Sequence, residues 1–238
     1  MILQDKKIVV IGGSSGIGQA VAARALAEGA SVVIGGRSQE KLDAARRALG
    51  GKVTTIAFDA GDPEGAANAY GEIGPIDHFL STAASLTYAP VTTISLADVD
   101  AMISSKIMGP LLAARFAAAQ IRDGGSMTFF TGLAAYRPGP ETVMVATVNA
   151  ALEGMVKALA VELAPLRINR LSPGVTETPG WDFMPMADRE ALFAGLRTSL
   201  PTRRIGTPED LAAAAILLMT NPFITGTVLD VDGGGRLS

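Results

Sequence analysis

Gly12, Gly16 and Gly18 lie in the run Ile-Gly-Gly-Ser-Ser-Gly-Ile-Gly from Ile11 to Gly18, directly after the apolar segment Lys7-Ile8-Val9-Val10. The spacing Gly-x3-Gly-x-Gly removes side chains where a phosphate chain must approach backbone amides closely. A helix opening at about Gly18 adds free N–H groups and the positive end of its dipole. A buried strand, a glycine turn and a helix in that order turn a common glycine pattern into a specific dinucleotide-binding signal. Ser14, Ser15 and Ile17 complete the turn and join the three glycines as candidate cofactor-binding residues.

Arg37 is the next residue with chemistry. The second apolar run ends Val33-Ile34-Gly35-Gly36-Arg37-Ser38. A site selective for NAD places a carboxylate about here, on the adenosine ribose hydroxyls. Gly36 stands in its place, and Arg37 follows. A guanidinium holds a 2′-phosphate that a carboxylate would repel, and Ser14, Ser15 and Ser38 add neutral donors. This favours NADP(H). The competing reading makes Arg37 a solvated residue at the start of the next helix.

These residues need a scaffold, and the patterning predicts one. Apolar strands are expected over Lys7–Ile11, Ser31–Ile34, Lys52–Ala57, His78–Ser81, Ser126–Phe130, Arg167–Leu171 and Thr227–Val231. Helices are expected near Gly18–Glu28, Gln39–Leu49, Pro63–Glu72, Leu96–Gln120, Thr142–Ala164 and Pro208–Met219, the last with Thr207 as N-cap. Strands that are apolar throughout are covered on both faces. Repeated βα units give a parallel sheet with right-handed crossovers. The expectation is an α/β fold, a doubly wound, parallel, seven-stranded sheet of Rossmann type, in one domain over residues 1–238. The stretch Thr176 to Thr202 breaks the alternation. It is too long for an ordinary connection and follows a strand, where ligands of open α/β sheets bind, so it reads as a lid insertion. Trp181, Phe183, Met184 and Met186 there either wall an apolar substrate pocket or pack the lid onto the domain.

Composition excludes several functions. The net charge is −3 and no basic run exceeds two residues, so there is no nucleic-acid footprint. The absence of cysteine excludes disulfides, thiolate metal sites and a cysteine nucleophile; the single histidine, His78, excludes a His-rich cluster. No metal site is expected. No uninterrupted apolar span approaches about 18 residues, so no membrane association is expected. A strand beginning at Lys7 leaves no room for a leader, and the expectation is a soluble cytoplasmic protein.

Over nearly its whole length the sequence resembles the short-chain dehydrogenase/reductase family. The carrying residues are Gly12–Gly18, Asp59 after the third strand, Ser172-Pro173-Gly174 after the sixth, and Gly226-Thr227 with Asp230-Val231-Asp232-Gly233-Gly234 near the end. The segment Asn149 to Pro165 resembles the family's long helix. The resemblance implies a nicotinamide cofactor, with Asp59 and Ala60 facing the adenine. It implies that Thr82, Ala83 and Ala84 line the adenosine ribose. Pro173, Gly174, Val175, Thr176 and Thr178 would meet the nicotinamide. It also implies a homodimer or homotetramer, formed through two long helices.

The catalytic residues of the family do not carry over. Its Asn, Ser, Tyr and Lys positions hold Lys106, Gly132, Val145 and Asn149. Val145 cannot donate a proton, and Asn149 carries no charge to lower a neighbouring pKa. Asn149 can still hydrogen-bond a ribose hydroxyl. Lys106 could stabilise an oxyanion or act as an acid if burial lowers its pKa; it could equally point to solvent or pair with a carboxylate. Thr131 offers a hydroxyl beside the vacant Ser position, or caps backbone at a strand end. Tyr136 and Glu141 lie on the loop towards the cleft mouth. Small residues at Ala146, Ala150, Gly154 and Ala158 allow close helix approach, inside the domain or between subunits. Two functions follow. One is an NADP(H)-dependent oxidoreductase acting on the carbonyl or alcohol group of a small, apolar substrate, with Lys106 and Thr131 as catalytic candidates. The other is a catalytically inactive NADP(H)-binding sensor or scaffold.

Overall fold

Each apolar run becomes a parallel strand. The computed structural model describes all 238 residues. It contains β1 (Lys7–Ile11), β2 (Ser31–Gly36), β3 (Val53–Ala57), β4 (Ile76–Ser81), β5 (Ile121–Phe130), β6 (Arg167–Pro173) and β7 (Val228–Val231). They form one seven-stranded sheet in the order β3-β2-β1-β4-β5-β6-β7, every neighbouring pair parallel. The strand order reverses at β1, whose end Ile11 lies beside both Gly35 of β2 and Ser81 of β4. A crevice opens beyond the carboxyl ends of the strands at such a point.

The helices are α1 (Gly16–Ala27), α2 (Gln39–Leu49), α3 (Pro63–Ile73), α4 (Leu96–Ile103), α5 (Gly109–Ala117), α6 (Val143–Glu162), α7 (Met186–Ser199) and α8 (Pro208–Thr220). Side chains begin four of them: Ser38, Asp62, Ser95 and Thr207 each accept the backbone N–H three residues on. Thr207 and Asp210 complete a reciprocal capping box, with Pro208 in the first turn. One face of the sheet packs on α1, α2 and α8 through Val21, Ala25, Leu42, Leu211 and Ile216. The other packs on α3, α5 and α6 through Tyr70, Leu112, Leu152 and Val156. The layer α6 is long and apolar enough to cross a membrane by length and composition, yet it carries Glu153 and Lys157 and docks on the sheet.

Three elements differ from the sequence expectation. The expected helix Leu96–Gln120 is interrupted by a π turn at Ser104–Met108. Pro110 lacks the N–H that would donate to the Lys106 carbonyl, and the helix widens to absorb the loss. Strand β5 starts at Ile121 rather than Ser126, because Arg122–Gly125 is taken up as a register slip against β4 between Ile76 and His78. Gly125 permits the slip, since a Cβ there would lie 2.2 Å from the Asp77 carbonyl oxygen. The stretch 176–202 contains α7, whose Met-Ala-Asp-Arg-Glu-Ala-Leu start is rich in good helix formers.

Candidate active site

The glycine turn between β1 and α1 is shaped by close contacts. Gly12 has φ +84°, and a Cβ on it would lie 2.5 Å from Thr82 Oγ1; a Cβ on Gly18 would lie 2.3 Å from the Gly12 carbonyl oxygen. Side chains at these positions would displace β1, the turn or Thr82. Ser15 caps α1 without a side-chain hydrogen bond, so the N–H groups of the first turn are left for another acceptor. These bare donors and the helix dipole fit a pyrophosphate. Gly16 sits under Thr178, at 3.4 Å from its would-be Cβ, which brings the start of the 176–202 stretch over the turn. Ser14 and Ile17 flank the glycines on the same turn.

Arg37 stands exposed just past β2 and makes no ion pair or side-chain hydrogen bond. Ser38 caps α2, its hydroxyl accepting from Lys41 N–H at 3.3 Å; its own proton stays available to donate. Asp59 is exposed and accepts the Gly61 N–H through Oδ1 at 2.9 Å, while Ala60 packs inward against the α5 core. The Thr82 hydroxyl turns back onto the carbonyl oxygens of Ile11 and Gly12, both at 3.3 Å. Ala83 packs on the core and Ala84 is exposed beyond it.

Past β6, Pro173 ends the strand. Gly174 is pressed against β7's continuation, with Asp232 Cα only 2.6 Å from a would-be Cβ. Val175 accepts the Gly206 N–H at 3.1 Å. Thr176 is buried, and its hydroxyl donates to the Gly174 carbonyl at 3.1 Å. That bond turns the Thr176 side chain inward rather than towards the crevice.

The floor of the crevice is formed where β5 ends and α6 begins. Lys106, on the π turn, is 3% exposed and donates from Nζ to the Phe130 carbonyl oxygen at 2.9 Å. Burial pulls its pKa from the usual 10.5 down to about 8. It neither points to solvent nor pairs with a carboxylate. The adjacent Thr131 is also buried, its hydroxyl 3.4 Å from the Leu171 carbonyl oxygen. Asn149 is 2% exposed with no partner for its Oδ1, and Gly132 faces it: a Cβ there would lie 3.3 Å from Asn149 Nδ2. Val145 is buried in a small apolar cluster with Met102 and Val148. The structure therefore brings Lys106, Thr131, Gly132 and Asn149 to one end of the sheet.

Tyr136 does not join them. Its hydroxyl accepts from the Arg170 guanidinium and donates weakly to Glu153 at 3.5 Å. Arg170 also lies over the Tyr136 ring at 5.4 Å and pairs with Glu153 at 3.1 Å. Arg170 lies on β6 and Glu153 on α6 one turn beyond Asn149, so Tyr136, Arg170 and Glu153 form a group of their own. Sequence reasoning passed over Arg170, a fully buried charge whose Nε and Nη1 have no partner. Its only signal was a second arginine inside an apolar strand. Ser172 was also missed as a polar group here: its hydroxyl is buried without a partner at the end of β6. His78 lies near the start of β4, away from the carboxyl ends of the strands, bonded to Ser126 of β5 at 2.9 Å; burial and, next, the Arg167 charge lower its pKa to about 4.

A doubly wound sheet with a bare glycine turn at its switch point defines a protein built around a dinucleotide. Comparison with known proteins gives the family. A family model described as Enoyl-(Acyl carrier protein) reductase matches residues 11–235. The short-chain dehydrogenase/reductase ucsE of Acremonium sp is 30% identical, with 99% of this chain and 97% of that protein aligned. Dehydrogenase/reductase SDR family member 4 of Homo sapiens is 31% identical over 98% of this chain and 88% of its own. Among solved structures, a small-chain dehydrogenase in complex with NADPH superposes with a TM-score of 0.86 at 32% identity, covering 99% of this chain and all of that one. The MalC Reductase/Diels-Alderase of Malbranchea aurantiaca gives a TM-score of 0.94 at 29% identity, covering 100% and 98%. The chain belongs to the short-chain dehydrogenase/reductase family and is an oxidoreductase of that type, built on its nicotinamide-dinucleotide fold.

Proposed function

We propose that the protein is NADP(H)-dependent and interconverts a carbonyl and an alcohol on a small, apolar molecule. Lys106 takes the place of the family's acid. The observation that carries this reading is the buried Lys106 ammonium at the crevice floor, with a pKa lowered to about 8. When bound, the dinucleotide supplies or accepts the hydride. Gly12, Ser14, Ser15, Gly16, Ile17 and Gly18 hold its pyrophosphate, and Asn149 Oδ1 accepts a ribose hydroxyl, which answers its missing partner. Arg37, free of any protein carboxylate, holds the 2′-phosphate with Ser38. The neighbour solved with NADPH supports that choice. In the reducing direction, Lys106 stabilises the forming alkoxide and gives it a proton from Nζ, then regains one from water. Phe130 keeps one N–H of the ammonium, which orients the rest. Thr131 holds the end of β5 in register.

The proposal includes a homodimer or homotetramer. Ala150, Gly154 and Ala158 lie exposed on α6 with Ala146 half-buried, and nothing approaches within 4 Å of a would-be Cβ on Gly154. This leaves a surface smooth enough for the same helix of a second copy.

The test is NADPH consumption with ketones, aldehydes, quinones and enones. Turnover lost in Lys106→Ala with NADPH affinity intact is the expected result. A second reading, an NADP(H)-binding protein without redox turnover, is favoured by the apolar burial of Val145 among Met102 and Val148. A tight NADPH complex silent towards every compound establishes that reading instead.

A further inference from the structure

The loops after β4, before α6 and after β6 all leave the carboxyl ends of the strands, and aromatic rings join two of them. Tyr88, between β4 and α4, stacks on Phe183 with ring centroids 6.3 Å apart and planes 12° from parallel. Phe183 stacks on Trp181 at 6.2 Å and 27°. Trp181 is fixed from below: Phe193 of α7 meets it edge-on at 6.0 Å, and its indole N–H donates to the Thr176 carbonyl at 2.9 Å. The Tyr88 loop is in turn fixed to the loop before α6, through the Ala89 N–H and the Glu141 carbonyl at 3.1 Å. The rings thus bridge the loop after β4 and the loop after β6, beyond the carboxyl ends of the strands, while their supports are anchored.

The rings are not used up by packing. Phe183 is 65% exposed and Tyr88 43% exposed, two stacked rings left open to solvent. The charges around them are carboxylates or are neutralised. Asp98 accepts from Thr87 beside Tyr88, Glu141 is bonded through its backbone to Ala89 next to Tyr88, and Asp182 pairs with Arg189 at 2.6 Å. An anionic group would be repelled here. A neutral ring would gain a stacking partner.

We propose that Tyr88 and Phe183 form an aromatic clasp that selects neutral, aryl-bearing carbonyl substrates for the crevice. The inference rests on the proposed oxidoreductase reading for what happens after binding, but its geometry is independent of Lys106. The substrate ring lies on the free face of the Tyr88–Phe183 stack, with its carbonyl carried inward.

The test compares acetophenone with cyclohexyl methyl ketone, which has the same carbon count and no π-face. The protein is saturated with NADP+ and binding is followed by calorimetry. Trp181 is the only tryptophan, so its emission reports the stack directly. Acetophenone is expected to bind about tenfold more tightly than its saturated counterpart and to quench Trp181. Tyr88→Leu and Phe183→Leu keep apolar bulk but remove a ring; each is expected to erase most of that preference and leave NADPH affinity unchanged. Where acetophenone is reduced, the variants raise KM about tenfold and move kcat less than about twofold. Equal affinity for the two ketones, no binding of either, or a preference that survives both variants overturns the clasp. Acetophenone binding with Trp181 quenching but without NADPH consumption keeps the clasp and refutes the oxidoreductase reading. Consumption without aryl preference does the reverse.

Discussion

Replacing Lys106 by methionine separates the charge from the shape. The ammonium is almost wholly buried and hydrogen-bonded to one carbonyl oxygen. The gap between the usual 10.5 and about 8 corresponds to about 3 kcal/mol at about 1.4 kcal/mol per pKa unit. The sign follows from where protons bind. Below about pH 8 the lysine is charged both folded and unfolded, and the folded protein bears the full burial penalty. Between about pH 8 and 10.5 the unfolded chain holds a proton that the folded protein has released, so stability rises with pH across that window. Lys106→Met removes the penalty, so it should raise stability at pH 7 by up to about 3 kcal/mol and flatten the rise above pH 8. Catalysis moves the other way. Reduction should lose about 10²- to 10⁴-fold in kcat. The wild-type rate should fall as pH rises through about 8, where the acid is spent. Urea unfolding at pH 7 and pH 10 and the pH profile of NADPH oxidation measure both. A Lys106→Met protein that keeps its turnover and the same alkaline fall in rate would refute the reasoning, because neither could then come from this ammonium.

Other outcomes follow from the same geometry. Arg37→Ala should weaken NADPH binding by about 10- to 100-fold, as loss of charge-assisted bonds worth about 1.5–3 kcal/mol, and leave NADH nearly unchanged; calorimetry with both decides. Gly18→Ala forces a methyl to 2.3 Å from the Gly12 carbonyl oxygen, so both folding stability and dinucleotide affinity should drop together in thermal melts with and without NADPH. Glu153→Ala leaves the Arg170 charge buried without its carboxylate, held only by Tyr136. The expected loss is about 3 kcal/mol, the low end for a broken buried pair, since Glu153 is 25% exposed. The double variant Glu153→Leu with Arg170→Met should recover most of that stability in urea unfolding.

Much of the scaffold was legible because both faces of the sheet are covered. Lys7–Ile11 and Ser31–Gly36 carry apolar residues with little alternation, and the caps Ser38 and Thr207 mark helix starts that the structure reproduces. The glycine turn was legible because steric need, unlike packing, is written in single residues. What escaped reading depends on partners distant in sequence. The start of β5 reads as a turn, Arg-Asp-Gly-Gly, until Arg122 is seen paired with Asp77. The π turn at Lys106 follows from a missing donor at Pro110, four residues on. The Met and Pro content around 184–186 hid the start of α7. Tyr136 lies on the loop that sequence placed near the crevice, but the buried guanidinium of Arg170 draws its hydroxyl away. No local pattern announces such a neighbour.

The burial of His78 has a practical result. Imidazole is the one side chain that ordinarily changes charge near neutrality; the chain has a single copy, held neutral until about pH 4, and it has no thiol. Burial brings the lysine on the π turn down to about 8, so Lys106 changes charge just above neutrality. With His78 neutral from mildly acidic pH upward, a kinetic break near pH 8 that disappears in Lys106→Met would trace to the Lys106 nitrogen.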